Sequence, residues 1–200
     1  MKLLMSGASP FVRKILVLLH ETGQADDVEA VTVTAAPGGT DAALKAANPV
    51  GKIPALVRDE GPTLYDSRVI CRYLDDRAQA GLYPPQGWET LVLEATADAL
   101  MEAAVLMVYE KRFRLEPQQS EAWIEAQWGK VEGALDALNA RWMSHLAGPM
   151  DIGHLGVACA LGYLDFRHAD REWRKGRDAL AKWEAGFAKR PSMQATAPAG

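Results

Sequence analysis

The chain has 200 residues, of which 48% are hydrophobic and 24% charged, and its formal net charge is -4. This composition is typical of a globular protein, and an acidic balance without a basic stripe argues against nucleic-acid binding. The apolar runs are too short to span a membrane, and residues 1–5 are too short for the apolar region of a signal peptide. We therefore expect no membrane partner and a cytoplasmic location.

The first 78 residues alternate between strand and helix patterns. In chain order they predict a strand at 2–5, a helix from Pro10 to a stop at Gly23, a strand at 28–33, a short helix at 41–47, strands at 53–57 and 63–65, and a helix that begins at Ser67. Pro10 suits the first position of a helix, which makes Ser9 a natural N-cap. The β-α-β beginning requires a parallel strand pair, and the last two strands add an antiparallel edge.

The stretch from Asn48 to Leu74 carries the features that indicate a ligand. Pro54 lacks an N–H and so suits the first residue of a strand, and a cis bond before it would turn the backbone of Ile53 toward an extended, peptide-like ligand. Ser67 begins a helix, where free N–H groups favour an anion, and Asp66 offers a carboxylate to an amine. These residue types predict a ligand with an amino-acid end and a peptide backbone.

From residue 79 onward the strand patterns disappear. A Gly- and Pro-rich linker at 79–88 precedes an all-helical domain at 89–200. Its main helices are predicted at 89–114, around 124–142, around 155–164 and around 180–187, the last one closed by Arg190-Pro191. Four such helices predict a helical bundle.

Cysteines and histidines provide no recognisable metal or redox motif. Cys71 and Cys159 lie far apart and form no C-x-x-C pair, which disfavours a dithiol or thiolate-metal site. The four histidines are scattered at helix ends or faces and do not cluster at metal-ligand spacing: His20, His145, His154 and His168. No metal is expected.

Over nearly its whole length the chain resembles the cytosolic-type glutathione transferases, and among them the serine-type bacterial members. The resemblance lies in SPFVRK at 9–14, NPVGKIPAL at 48–56, DS at 66–67 and DIGHLGVACALGYLDFR at 151–167. It implies a thioredoxin-like domain (βαβαββα) at 1–78 and an all-helical domain at 89–200. It also implies conjugation of the glutathione thiolate to a small, apolar electrophile, no metal, and a homodimer.

The resemblance assigns a role to individual positions. Ser9 matches the residue that holds the glutathione thiol, and it is the implied catalytic residue. Lys52 and Ile53 would contact the glycyl and cysteinyl parts of glutathione, and Asp66 and Ser67 the γ-glutamyl end. In the helical domain, Asp98 falls where some members reach the neighbouring subunit's glutathione. Independently of the resemblance, the Met and aromatic residues of the long helix are typical of a core, and those near its end, such as Tyr109 and Phe113, are candidates for an apolar second-substrate cleft.

Alternatives remain open for these residues. Ser9 and the Asp66-Ser67 pair also fit ordinary helix capping, Lys52 fits a solvated loop lysine, and Ser6 is a competing hydroxyl for the thiol. The early cysteine of the thiol-exchanging members is missing. A non-catalytic glutathione-binding protein and a glutathione-dependent peroxidase are the alternative functions.

One departure from the family pattern concerns the buried helix. The family opens this helix with Ser or Thr and places Asp three residues later. Here Asp151 can cap the helix, but His154 holds the second place, so we expect only half of a reciprocal capping box.

Overall fold

A computed structural model describes residues 1–198, which separate into two compact units. The first comprises Met1–Tyr83 and the segment that begins at Pro191, and the second comprises Pro84–Arg190. The strands are β1 (Lys2–Met5), β2 (Glu29–Thr32) and β3 (Ala55–Val57). The helices are α1 (Pro10–Glu21), α2 (Ala42–Ala47), α3 (Ser67–Ala78), α4 (Trp88–Phe113), α5 (Glu121–Arg141), α6 (Met143–Leu146), α7 (Ile152–Arg167), α8 (Asp178–Phe187) and α9 (Pro191–Ala195).

Within the described residues of the first unit, the strands form one mixed sheet in the order β2-β1-β3. β1 pairs parallel with β2 and antiparallel with β3. The α1 crossover makes the parallel pair possible, as predicted. The predicted strand at 63–65 is reduced to a single antiparallel bridge between Leu64 and Leu56, because the cap of α3 follows at Asp66.

α1 and α3 pack against each other and bury the apolar faces that their sequences predict. α9 also packs on α1, and the Arg13 guanidinium donates a hydrogen bond to the Met193 carbonyl at 3.1 Å. The segment from Pro191 therefore groups with the sheet unit, whereas the sequence pattern assigned it to the helical domain. A helix of five residues has too short a pattern to indicate its packing partner.

The second unit is built around α7, which packs against α4. Most of α7 is buried, in accordance with its apolar sequence. Gly153 permits the close approach of these helices, because a Cβ there would lie 2.8 Å from Leu93 Cδ2. No helix within residues 1–198 is long and apolar enough to cross a membrane.

Candidate functional site

The strand register brings the end of β1 close to the start of β3. Leu4 pairs with Ala55 in the antiparallel ladder, so the chain leaving β1 emerges beside the residues that enter β3. The segment leaving β1 leads to Ser9 and α1, and the segment entering β3 contains Ile53. The register therefore places Ser9 and Ile53 at the same edge of the sheet.

The bridge at Leu64 adds a third segment to this edge. The backbone N–H of Leu64 donates to the Leu56 carbonyl at 2.9 Å, and the reverse bond has the same length. Because this pairing is antiparallel to β3, the chain beyond Leu64 runs back toward Ile53 and reaches Asp66. Both α1 and α3 therefore start at one edge, with the positive ends of their dipoles there.

Ser9 is the N-cap of α1. Its Oγ accepts a hydrogen bond from the Val12 N–H at 3.4 Å, and its side chain is half-buried. A hydroxyl that accepts this bond still has its own hydrogen to donate. The competing Ser6 lies one turn earlier, where its carbonyl accepts from the Ser9 N–H at 3.0 Å. Capping and donation to an anion are therefore compatible roles for Ser9.

Asp66 is the N-cap of α3, and Ser67 is the buried first residue of that helix. One Asp66 oxygen accepts from the Arg68 N–H at 3.0 Å, and the other lies 3.3 Å from the Arg68 guanidinium. The Asp66 side chain is still 57% exposed. The cap therefore leaves the carboxylate accessible to a ligand's amine.

Lys52 and Ile53 lie in a loop that one side chain organises. The Asn48 amide donates to the Lys52 carbonyl at 2.7 Å, and its oxygen accepts from the Val50 N–H at 3.0 Å. Ile53 packs on the core beside Leu4, the Ile53–Pro54 peptide is cis, and the Lys52 side chain is exposed. Asn48 thus forms an Asx-turn, in which the side-chain oxygen accepts from the backbone N–H two residues later.

A second polar cluster lies in the helical unit, around the start of α7. Asp151 caps α7, and the expectation of half a capping box is wrong: the His154 N–H donates to Asp151 Oδ1, and the Asp151 N–H donates to His154 Nδ1, both at 3.2 Å. The imidazole nitrogen supplies the acceptor that a Glu or Gln provides elsewhere.

The Asp151 carboxylate also accepts hydrogen bonds from outside α7. Asp151 Oδ2 accepts from the Thr90 hydroxyl at 2.5 Å and lies 2.7 Å from His145 Nε2. Burial would raise the pKa of Asp151, but the hydrogen bonds from His154, Thr90 and His145 outweigh it and hold this pKa well below its usual range. The expectation that the histidines do not cluster is wrong for His145 and His154, because α6 and α7 bring them to one carboxylate.

Comparisons with known proteins agree with this architecture. The sequence matches the glutathione S-transferase N-terminal domain over residues 8–77 and the glutathione S-transferase C-terminal domain over residues 121–186. The chain therefore belongs to the glutathione S-transferase family.

The similar proteins and structures that follow come from bacteria. An uncharacterized GST-like protein of Escherichia coli K12, YibF, is 33% identical over 99% of this chain and 98% of its own. A glutathione transferase family member from Pseudomonas fluorescens Pf-5 with bound glutathione is 47% identical, with a TM-score of 0.96 over 100% of this chain and 99% of its own. A family member from the same organism with bound S-(propanoic acid)-glutathione is 45% identical, with a TM-score of 0.91 over the whole of both chains.

Proposed function

We propose that this protein is a glutathione transferase that binds glutathione at the shared edge of α1, β3 and α3. The observation that carries the proposal is the meeting there of two helix N-termini, each capped by a side chain that can also contact a ligand, Ser9 and Asp66. Helix N-termini attract anions, and glutathione has carboxylates and, when activated, a thiolate. Glutathione and an S-substituted glutathione bound to similar proteins support this ligand.

The ligand's parts are assigned by chemistry. The Asp66 carboxylate would accept a hydrogen bond from the γ-glutamyl amine, and the α3 N-terminus at Ser67 would hold the neighbouring carboxylate. The backbone of Ile53 would pair with the cysteinyl part as an added strand does. Lys52 would approach the glycyl carboxylate.

Ser9 would activate the thiol. A free thiol has a pKa of about 8.5, and the α1 N-terminus favours an anion by roughly 0.3–1 kcal/mol. One hydroxyl donor from Ser9 brings the total to about 1.4 kcal/mol, which lowers the thiol pKa by about one unit. The resulting thiolate then forms a bond from sulfur to an electrophilic carbon, and the leaving group departs with its electron pair.

The experiment compares Ser9→Gly with Ser6→Ala in the thiolate absorbance of bound glutathione as a function of pH. Glycine at an N-cap costs helix stability only a few tenths of a kcal/mol, so Ser9→Gly removes the hydroxyl with little loss of the cap. Because the helix N-terminus remains, only the hydroxyl's share of about 0.4–1.1 kcal/mol is lost, so we expect the apparent thiol pKa to rise by roughly 0.3–0.8 unit and the conjugation rate below that pKa to fall about two- to sixfold. Ser6→Ala should change neither.

If Ser6→Ala shifts the thiol pKa and Ser9→Gly does not, the two serines exchange roles. Substrate panels of chloro-nitroarenes, isothiocyanates and hydroperoxides separate the remaining functions. Turnover of hydroperoxides alone would support the peroxidase alternative. Tight glutathione binding with no turnover would support a binding protein.

We also propose that the protein is a homodimer whose interface includes α4. This helix exposes large apolar side chains at Trp88, Leu91 and Val92, which water disfavours in a monomer. Light scattering at micromolar concentration should give about twice the chain mass, because closed two-fold dimers are the commonest assemblies. Asp98→Asn should then weaken glutathione binding without dissociating the dimer, and a clean monomer would rule out both proposals.

The electrophile is proposed to contact the aromatic end of α4. Tyr109 and Phe113 are partly exposed there, with ring centroids 5.1 Å apart in an edge-to-face arrangement. Aromatic surface of this kind binds apolar substrates. Phe113→Ala should therefore raise KM for an aromatic electrophile and leave KM for glutathione unchanged, as initial rates at varied concentrations of each substrate would measure.

A further inference from the structure

The cluster at the start of α7 has the ligand atoms of a metal site. His145, Asp151 and His154 each offer one atom, and these atoms all lie within 4.8 Å of one another. Both imidazoles approach the carboxylate at 2.7 Å, His145 through Nε2 and His154 through Nδ1. Tetrahedral zinc with bonds of about 2.0–2.1 Å separates its ligand atoms by roughly 3.4 Å, so small side-chain movements would convert these contacts into coordination.

The surroundings of His154 Nδ1 pose a conflict for a neutral ring. The Asp151 N–H at 3.2 Å requires a lone pair on this nitrogen, whereas Asp151 Oδ1 at 2.7 Å requires a hydrogen on it. Within residues 1–198, His154 Nε2 is buried and has no hydrogen-bond partner that would fix the tautomer. A hydrogen on Nδ1 satisfies the shorter contact at the expense of the longer one, and a metal ion bound to Nδ1 and Oδ1 would occupy the place of that hydrogen.

The rest of the cluster holds the carboxylate in place for such a cation. Thr90 and the backbone N–H of His154 donate to the two Asp151 oxygens, and hydrogen bonds of this kind orient metal-binding carboxylates. The side chains of Asp151 and His154 are 9% and 3% exposed, and His145 is 25% exposed. An ion would therefore enter from the His145 side into a site that is otherwise closed.

We propose that His145, Asp151 and His154 bind a divalent transition-metal ion of the zinc type. Two imidazoles and one carboxylate are a ligand set that zinc prefers. The ion would take the place of the hydrogen between His154 Nδ1 and Asp151 Oδ1, and that proton would pass to solvent. The Asp151 N–H would give up its contact with Nδ1, because this nitrogen has one lone pair. The ion would join α6 to the N-terminus of α7 through three protein ligands, and the fourth position would be left to water on the His145 side.

The test uses the untagged, full-length protein after treatment with EDTA and removal of the chelator, in the absence of glutathione. Isothermal titration with ZnCl₂ should show one ion per chain, and saturating zinc should raise the melting temperature, because an ion that binds only the folded state stabilises it. The Co²⁺ form should show ligand-field absorption of a tetrahedral site without a sulfur-to-metal charge-transfer band, which excludes the two cysteines as ligands.

Two variants remove one ligand each. His154→Gln keeps the capping box, since glutamine is an accepted residue at that position. His145→Gln leaves the cap untouched. Each should weaken zinc binding at least about tenfold, because loss of even an outer hydrogen-bond partner of a metal ligand costs roughly 10–100-fold. His20→Gln, at an exposed histidine of α1, is the control and should bind zinc as the wild type does.

The proposal is overturned if the wild type binds no zinc with one-to-one stoichiometry. It is equally overturned if both cluster variants bind zinc as tightly as His20→Gln, since the ion would then lie elsewhere. Circular dichroism confirms that each variant is folded. Neither result bears on glutathione binding, which is measured separately without zinc.

Discussion

Asp66 and Asp151 are both N-cap aspartates, yet their carboxylates have opposite surroundings. Asp66 caps α3 with a side chain that is 57% exposed, and it accepts hydrogen bonds from the backbone N–H and the guanidinium of Arg68. Asp151 caps α7 with a side chain that is 9% exposed and receives bonds from Thr90, His145 and His154. The same residue in the same helical position is therefore open to solvent in one unit and enclosed by protein donors in the other.

The largest effect on stability is expected from Asp151→Ala. It removes a cap worth about 1 kcal/mol and leaves buried donors unpaired, for a total loss of roughly 2–4 kcal/mol in the free energy of unfolding. Urea denaturation in the presence of EDTA measures this loss. Asp151→Asn, which can still cap, should lose less, and the folded fraction of either variant should bind glutathione normally.

For Asp66→Ala we expect a large loss of glutathione affinity and only a small loss of stability. A lost charge-assisted contact costs roughly 1.5–3 kcal/mol, so glutathione affinity should fall about ten- to a hundredfold, whereas stability should fall by only about 1 kcal/mol. Calorimetry gives the affinity, and urea denaturation gives the stability. Asp66→Asn separates the effect on affinity from the effect on stability, because asparagine retains the cap but lacks the charge. Unchanged affinity in both variants would refute the assignment of the amine to Asp66.

Gly153→Ala would displace the buried cap of α7 without changing the residues that form it. The added Cβ would lie 2.8 Å from Leu93 Cδ2 and 3.0 Å from Leu93 Cβ, so α4 and α7 must separate. We expect a loss of about 1–3 kcal/mol in the free energy of unfolding. Gly133→Ala in α5 is the matched control. A Cβ there meets no described atom within 4 Å, and it should stabilise the helix by about 0.5–1 kcal/mol.

The smallest effect concerns His168, a buried histidine whose ring lies against a backbone carbonyl. Burial lowers the pKa of His168, although the Ala104 carbonyl, 3.0 Å from Nε2, partly opposes this. In the unfolded chain a histidine has a pKa of about 6.5, so below that pH the unfolded state takes up the proton first. The contribution of His168 to stability is therefore complete above pH 6.5 and is lost as the pH falls through the lower folded-state pKa.

The measurement is the free energy of unfolding of wild type and His168→Gln at pH 8 and at pH 5.5. The wild type should lose more stability between the two pH values than the variant does. Equal losses would show that His168 does not titrate differently in the folded and unfolded states. Asp170, Arg171 and Lys111 lie near this ring and are unchanged in both proteins, so the difference isolates His168.

The local patterns of the sequence determined much of the sheet unit and its site. Pro10 after Ser9 predicted the start of α1, and Asp66-Ser67 predicted the start of α3, because capping depends on neighbours within three or four residues. The family resemblance was carried by the same short segments. The proposed residues Ser9, Ile53 and Asp66 meet at one edge because the β-α-β order and the antiparallel β3 leave few other arrangements.

The polar cluster of the helical unit and the position of α9 depend on helix packing and could not be predicted from local sequence patterns. His145 is separated from Asp151 by the end of α6 and a turn, and Thr90 is 61 residues away, so no sequence period links these side chains. The hydrogen bond between α1 and α9 joins Arg13 to Met193, which lie 180 residues apart in the sequence. Such contacts depend on how the helices pack, and the periodicity along one helix does not specify that packing. For this reason the sequence predicted Asp151 only as a helix cap, whereas in the structure it is the centre of a buried hydrogen-bond network.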